Sequence, residues 1–117
     1  MRNHESLKAF QLADLLALAV YKATATFPKD ERFGLTAQLR KAAVSCVSNI
    51  VEGAARNTEA DFLHFLDMAI GSGREVEYQL SLAQRLGFLS SEAIKSQSRE
   101  VCMVLSGLIQ SLRSPRA

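Results

Sequence analysis

Apolar residues recur along this chain three and four positions apart, the spacing of a helix face. No run alternates apolar and polar residues as a half-buried strand would. Pro28 and Gly34 bracket one turn, Thr58 opens a new segment, and Gly87 with Ser90-Ser91 marks a third break. The stretches between these signals predict four helices, at about 6–26, 36–56, 59–86 and 92–112. In the first, Phe10, Leu12, Ala13, Leu16, Ala17, Ala19, Val20, Ala23 and Phe27 share a broad face. Lys8, Gln11, Asp14 and Lys22 share the other, with Leu7, Leu15 and Leu18 among them. Pro28 should stop this helix, because its ring clashes with the preceding turn. The second helix carries the stripe Leu39, Ala43, Cys46, Ile50, Ala54, widened by Val44, Val47 and Val51, with Thr36 as its expected N-cap.

The third helix has Thr58 as N-cap and Asp61 in the capping-box position, although Asp is shorter than the preferred Glu. Its stripe Phe62, Leu66, Ala69, Gly73, Val76, Leu80, Ala83 alternates spacings of four and three, the rhythm of helices packed nearly antiparallel. Gly87 suits its C-terminus. The fourth helix, capped by Ser91, carries Ile94, Val101, Leu105, Leu108 and Leu112, widened by Cys102 and Ile109. Four helices joined by short turns predict an all-α fold: one domain over 1–117, an antiparallel up-down-up-down four-helix bundle.

The second helix presents an apolar arc of about 200°, where a bundle helix needs a little over 100°. Scattered apolar residues are normal on a surface. An arc this wide, together with the stray leucines of the first helix, also fits a second buried face against another copy of the chain. Leu15, Leu18, Val44, Val47 and Val51 are the candidate interface of a homo-oligomer.

Composition narrows the class. The chain has 117 residues, 48% hydrophobic and 22% charged, which excludes disorder as its main description. Fourteen Lys and Arg against twelve Asp and Glu give +2, too mild to imply nucleic acid alone. Cys46 and Cys102 lie within helical patterns and are expected as reduced, buried thiols. The N-terminal residues lack signal-peptide anatomy, no apolar run is long enough for a bilayer, and no C-terminal lipidation signal follows Arg113. The expected location is the cytoplasm, with no membrane partner.

Candidate chemistry is sparse. A di-metal bundle site wants two Glu-x-x-His motifs, and the chain offers a single Asp61-x-x-His64 with His4 outside the bundle, so no metal or other cofactor is expected. Neither cysteine has a histidine at a suggestive spacing, and GSGRE around Gly71 and Gly73 lacks the context of a phosphate loop. The paired glycines fit the close approach of a neighbouring helix. Asn49, Glu52 and Arg56 align at i, i+3 and i+7, as either a solvated face or a polar network fixing helix register, and Glu77 could supply a partner. Lys95, Arg99 and Arg113 share a face of the fourth helix, with Arg116 beyond. This is either a solvated face or a stripe contacting the phosphates of RNA or DNA.

The segment LTAQLRKAAVSCVSNIVEGAAR (35–56) resembles the signature of small bacterial four-helix-bundle proteins encoded in intervening sequences of large-subunit ribosomal RNA genes. EADFLHFLDMAIGSGREVEYQL (59–80) and Leu86-Gly87-Phe88 continue the resemblance. The matching positions are Ser45, Ser48, Asn49, Glu52, Gly53, Arg56, Gly71, Ser72, Glu75 and Glu77, among which Ser45, Asn49, Glu52, Arg56, Glu75 and Glu77 are the candidate polar network. The resemblance implies a closed homopentamer without established enzymatic activity. It also implies a distant kinship with the accessory variability determinant of diversity-generating retroelements, which associates with a reverse transcriptase and nucleic acid. One departure is Val47, where the family usually has proline. The expected role is a non-enzymatic, self-associating accessory or scaffold factor linked to nucleic acid or to a nucleic-acid-processing protein. The alternatives are a purely protein-binding scaffold and a metal-dependent bundle enzyme.

Overall fold

In the computed structural model, which describes residues 1–114, α1 spans Lys8–Thr24, α2 Leu35–Ala54, α3 Glu59–Arg85 and α4 Ala93–Arg113. Short 3-10 turns occupy His4–Ser6 and Lys29–Glu31, and the described residues contain no strand. α1 packs on α2 and α4, and α3 packs on the same two, an arrangement consistent with a four-helix bundle. Every residue of the stripe predicted for α3, from Phe62 to Ala83, is buried. It meets Leu16 and Val20 of α1, Leu39, Cys46 and Ile50 of α2, and Val101, Cys102 and Leu105 of α4 in one core. Each large side chain so buried contributes about 1.5–3 kcal/mol. On α4 the buried side includes Ser98 and Ile109, while Leu108 and Leu112 lie only partly buried at its edge.

Local chemistry sets the helix ends. α1 begins at Lys8, after the His4–Ser6 turn capped by Asn3, and stops at Thr24, four residues ahead of Pro28. Thr24 Oγ1 donates to Val20 O at 2.8 Å, and the amides of Ala25 and Phe27 tighten to i−3 acceptors. That turn brings Phe27 into the core against Phe88, with ring centroids 5.7 Å apart. The expected N-cap at Thr36 is corrected: α2 begins at Leu35 with Gly34 as N-cap, and Thr36 is buried within the first turn. The free amide of Leu35 is instead satisfied by Glu31 Oε1 at 3.0 Å, a side chain reaching forward from the preceding turn.

At α3, Thr58 Oγ1 accepts from Asp61 N at 3.1 Å, and no bond returns from Asp61 to the Thr58 amide. This is half of a capping box, as the short Asp side chain dictates. Its C-terminus is a Schellman motif: Phe88 N donates to Ala83 O and Gly87 N to Gln84 O, with Gly87 at φ +82°. α4 starts after Glu92, not Ser91, yet Ser91 Oγ accepts from Ala93 N at 3.1 Å. The N-terminus is tied to the α2–α3 corner. Arg2 N donates to Ala54 O at 2.7 Å, and its guanidinium lies 4.3 Å from the centroid of the Phe62 ring.

Candidate functional site

The seam between α2 and α3 gathers most of the family-motif residues. Ser45 and Ser72 share a hydrogen bond across it at 2.9 Å. Asn49 Nδ2 donates to Ser45 O at 2.9 Å and to Ser45 Oγ at 3.2 Å, which fixes the Asn rotamer against its own helix. One turn on, Arg56 Nη2 meets Glu52 Oε1 at 3.0 Å while its guanidinium sits 4.6 Å from the Phe65 ring centroid. Glu77 does not join them: its Oε1 accepts from Arg74 Nη1 at 3.1 Å on its own helix. Glu75 is exposed and makes no ion pair with a described residue. The six candidates therefore form no single network. They fall into a Ser45–Asn49 cluster completed by Ser72, a Glu52–Arg56 pair, and two separate carboxylates.

Beside Ser45 and Ser72 the seam opens into a cleft of about 380 Å³, lined by Gln38, Lys41, Ala42, Glu75 and Gln79 as well. Gln79 is 9% exposed and its buried Oε1 has no partner among the described residues. Gln79 sits three residues after Val76 and one before Leu80, and that spacing alone puts it on the buried side of α3.

The glycines divide in a way that spacing could not show. A Cβ at Gly71 would meet nothing within 4 Å, so the expected close approach of a neighbouring helix is corrected there. A Cβ at Gly73 would stand 3.1 Å from Cys102 Sγ and 3.6 Å from Cys46 Sγ, so the crowding is by two thiols rather than by backbone. The closest approach between helices is at Gly53, where a Cβ would fall 2.8 Å from Phe65 Cβ and 3.3 Å from Phe62 O. Both cysteines are free and buried. Burial, then the neighbouring Cys102, pushes the Cys46 thiol up to about 12. Burial also raises Cys102, with Arg74 opposing. Protonated thiols of this kind are poor nucleophiles.

The remaining candidates lie on outer faces. Leu15 and Leu18 of α1 are 54% and 55% exposed, and Val44 of α2 is 41% exposed. Val47 and Val51 are half-buried, and α2 runs unbroken through Val47. On α4, Lys95 Nζ donates to Gln84 Oε1 at 2.6 Å and lies 3.9 Å from Glu92 Oε2, so its charge is engaged. The Gln84 hydrogen bond, with Lys95 nearby, holds the Glu92 carboxyl below its usual range. Arg113 Nη2 meets Asp67 Oδ2 at 2.6 Å. Arg99 is exposed and among the described residues reaches only Ser96 Oγ, at 3.4 Å. Arg116 lies outside the described residues. His64 is exposed against Phe65, and among the described residues no three His, Cys, Asp or Glu side chains gather as a metal-binding group.

The pattern of the α2–α3 seam extends to the sequence as a whole: the model of the 23S rRNA-intervening sequence protein family matches residues 5–110. The chain belongs to that family. A structural relative is a protein of unknown function from the S23 ribosomal protein family of Bacteroides thetaiotaomicron, known from a 1.70 Å crystal structure. It is 24% identical, with a TM-score of 0.78, over 87% of this chain and 98% of its own, a likeness of fold. No curated protein matches the chain. Among the described residues no helix is long and apolar enough to cross a membrane.

Proposed function

We propose that the chain is a non-enzymatic, cytoplasmic, self-associating bundle that serves as an accessory or scaffold factor linked to nucleic acid. Its four helices run up-down-up-down and its copies close into a homopentamer. Two seams support the alternation: Ser45 faces Ser72 while Gly53 faces Phe62, and Gln84 meets Lys95 while Asp67 meets Arg113. In each, one number rises as the other falls. The observation that carries self-association is the outward apolar surface of α1 and α2, where Leu15, Leu18, Tyr21 and Val44 are exposed. A contiguous exposed apolar patch is the usual sign of an interface, and these side chains support that reading.

The link to nucleic acid rests on the family's relation to ribosomal RNA intervening sequences and on the exposed Arg99. Lys95 and Arg113 have intramolecular partners to leave before they could contact phosphates. A protein-binding scaffold is the second reading, favoured by the same apolar surface. Light scattering on a sizing column should give the mass of five copies at micromolar concentration. Leu18→Glu combined with Val44→Glu should return a folded single copy. A wild-type protein that elutes as one copy would overturn the assembly.

A further inference from the structure

The end of the molecule where α1 hands over to α2 carries a second cleft, of about 190 Å³. Its lining includes Thr24, Lys29, Arg32, Thr36 and Arg40, so three side chains are cationic and none is anionic. The two carboxylates of the same turn, Asp30 and Glu31, do not line it, and Glu31 is committed to the Leu35 amide. Arg40 is held in place. Its Nε donates to Thr24 Oγ1 at 2.9 Å, its Nη2 to Tyr21 O at 3.3 Å, and its guanidinium lies 4.5 Å from the Tyr21 ring centroid. Its Nη1 has no partner among the described residues.

Thr36 is the second observation. It is 9% exposed, it lines the cleft, and its hydroxyl makes no hydrogen bond with a described residue. Thr36 Oγ1 is not among the polar atoms sealed in the interior, so an incoming oxygen can reach it from the cleft. The amides of Thr36 and Ala37, in the first turn of α2, likewise find no acceptor among the described residues. Free amides at a helix start add a positive field.

We propose that this cleft binds a phosphoryl group. A phosphate monoester carries about −1.5 to −2 charges and three acceptor oxygens. Those oxygens match the free Nη1 of Arg40, the Thr36 hydroxyl, and the cationic ends of Lys29 and Arg32. The planar Arg40 guanidinium, already oriented by Thr24 and Tyr21, gives up little freedom on binding. The phosphoryl group comes either as a small free phosphate or as the phosphorylated end of a nucleic acid.

Titration calorimetry of the intact protein with inorganic phosphate, at low ionic strength, tests the site. One saturable site per chain is expected. Thr36→Val, which keeps the shape and removes the hydroxyl, should weaken binding about tenfold or more, as should Arg32→Ala. Thr36→Val removes an unpartnered hydroxyl, so its unliganded melting temperature should be unchanged or higher, which separates lost binding from lost fold. Absence of saturable binding, or affinity untouched in both variants, overturns the proposal. A 5′-phosphorylated single-stranded oligonucleotide that binds more tightly than its 5′-hydroxyl counterpart, with the advantage lost in Thr36→Val, supports the site with nucleic acid as the source. Binding of inorganic phosphate without that advantage supports it with a small phosphate as the source.

Discussion

Gly53 and Gly71 occupy opposite extremes of crowding, and replacing each with alanine isolates what the α2–α3 seam requires. A methyl at Gly53 would lie 2.8 Å from Phe65 Cβ, 3.2 Å from the Phe62 ring and 3.3 Å from Phe62 O. Two of these three neighbours are a backbone oxygen and an atom fixed directly to backbone, so relief requires α3 to move. Forced overpacking of this kind costs about 1–3 kcal/mol. Alanine gains up to about 1 kcal/mol over glycine in a helix interior. Gly53 lies in the last turn of α2, where that gain is smaller, so Gly53→Ala should be destabilising on balance. Gly71 is mid-helix and exposed, and its methyl would meet nothing. Gly71→Ala should therefore stabilise by up to about 1 kcal/mol. The two variants should differ by at least about 1–3 kcal/mol, the overpacking cost, with the part of the helix-propensity gain that Gly53 does not recover adding up to about 1 kcal/mol more. Urea unfolding at one fixed protein concentration measures both, because self-association would otherwise move the midpoint. A Gly53→Ala protein as stable as Gly71→Ala would refute the inference that the seam is closed by bare backbone at this position.

The thiols that crowd Gly73 supply the other predictions. Gly73→Ala should be destabilising, and adding Cys102→Ala should recover part of the loss, so that the double variant is more stable than the sum of the singles by roughly 0.5 kcal/mol or more. Strict additivity of the unfolding free energies would sink that coupling. Cys46 has a native pKa of about 12 against an ordinary 9.0, so the unfolded chain releases its proton first as pH rises. The stability this group contributes is full below pH 9.0 and is lost as pH climbs towards about 12. Alkaline unfolding curves should be flatter in Cys46→Ala, and a thiol reagent at neutral pH should label neither cysteine faster than the protein unfolds.

Much of the architecture is legible because a helix face repeats along the chain. The α3 stripe could be read residue by residue, and Gly87 stood out because only glycine readily takes the positive φ of its turn. The start of α2 is not set by a local cap at Thr36: the carboxylate of Glu31, four residues before Leu35, takes the amide. The polar seam was harder still. Whether Glu77 meets Arg56 or Arg74 depends on how α3 is rotated against α2, and the composition of neither helix encodes that rotation. The same holds for the glycines, since two positions along a helix turn the chain through about 200°, enough to move Gly71 to solvent and leave Gly73 among sulfurs. Thr36 has a residue type suited to capping, yet it lines a cleft in the first turn of α2.

The tether at Arg2 has a practical corollary. Because the first residues are stitched to Ala54 and Phe62, at the far end of α1 from the Lys29–Arg40 cleft, a fluorophore or immobilising handle placed ahead of Met1 would stand off from that cleft by roughly 27 Å, the rise of α2 from Thr36 to Ala54. A surface prepared that way would present the cationic end outward, free to meet whatever flows past. The handle itself would press on the corner where the second helix gives way to the third.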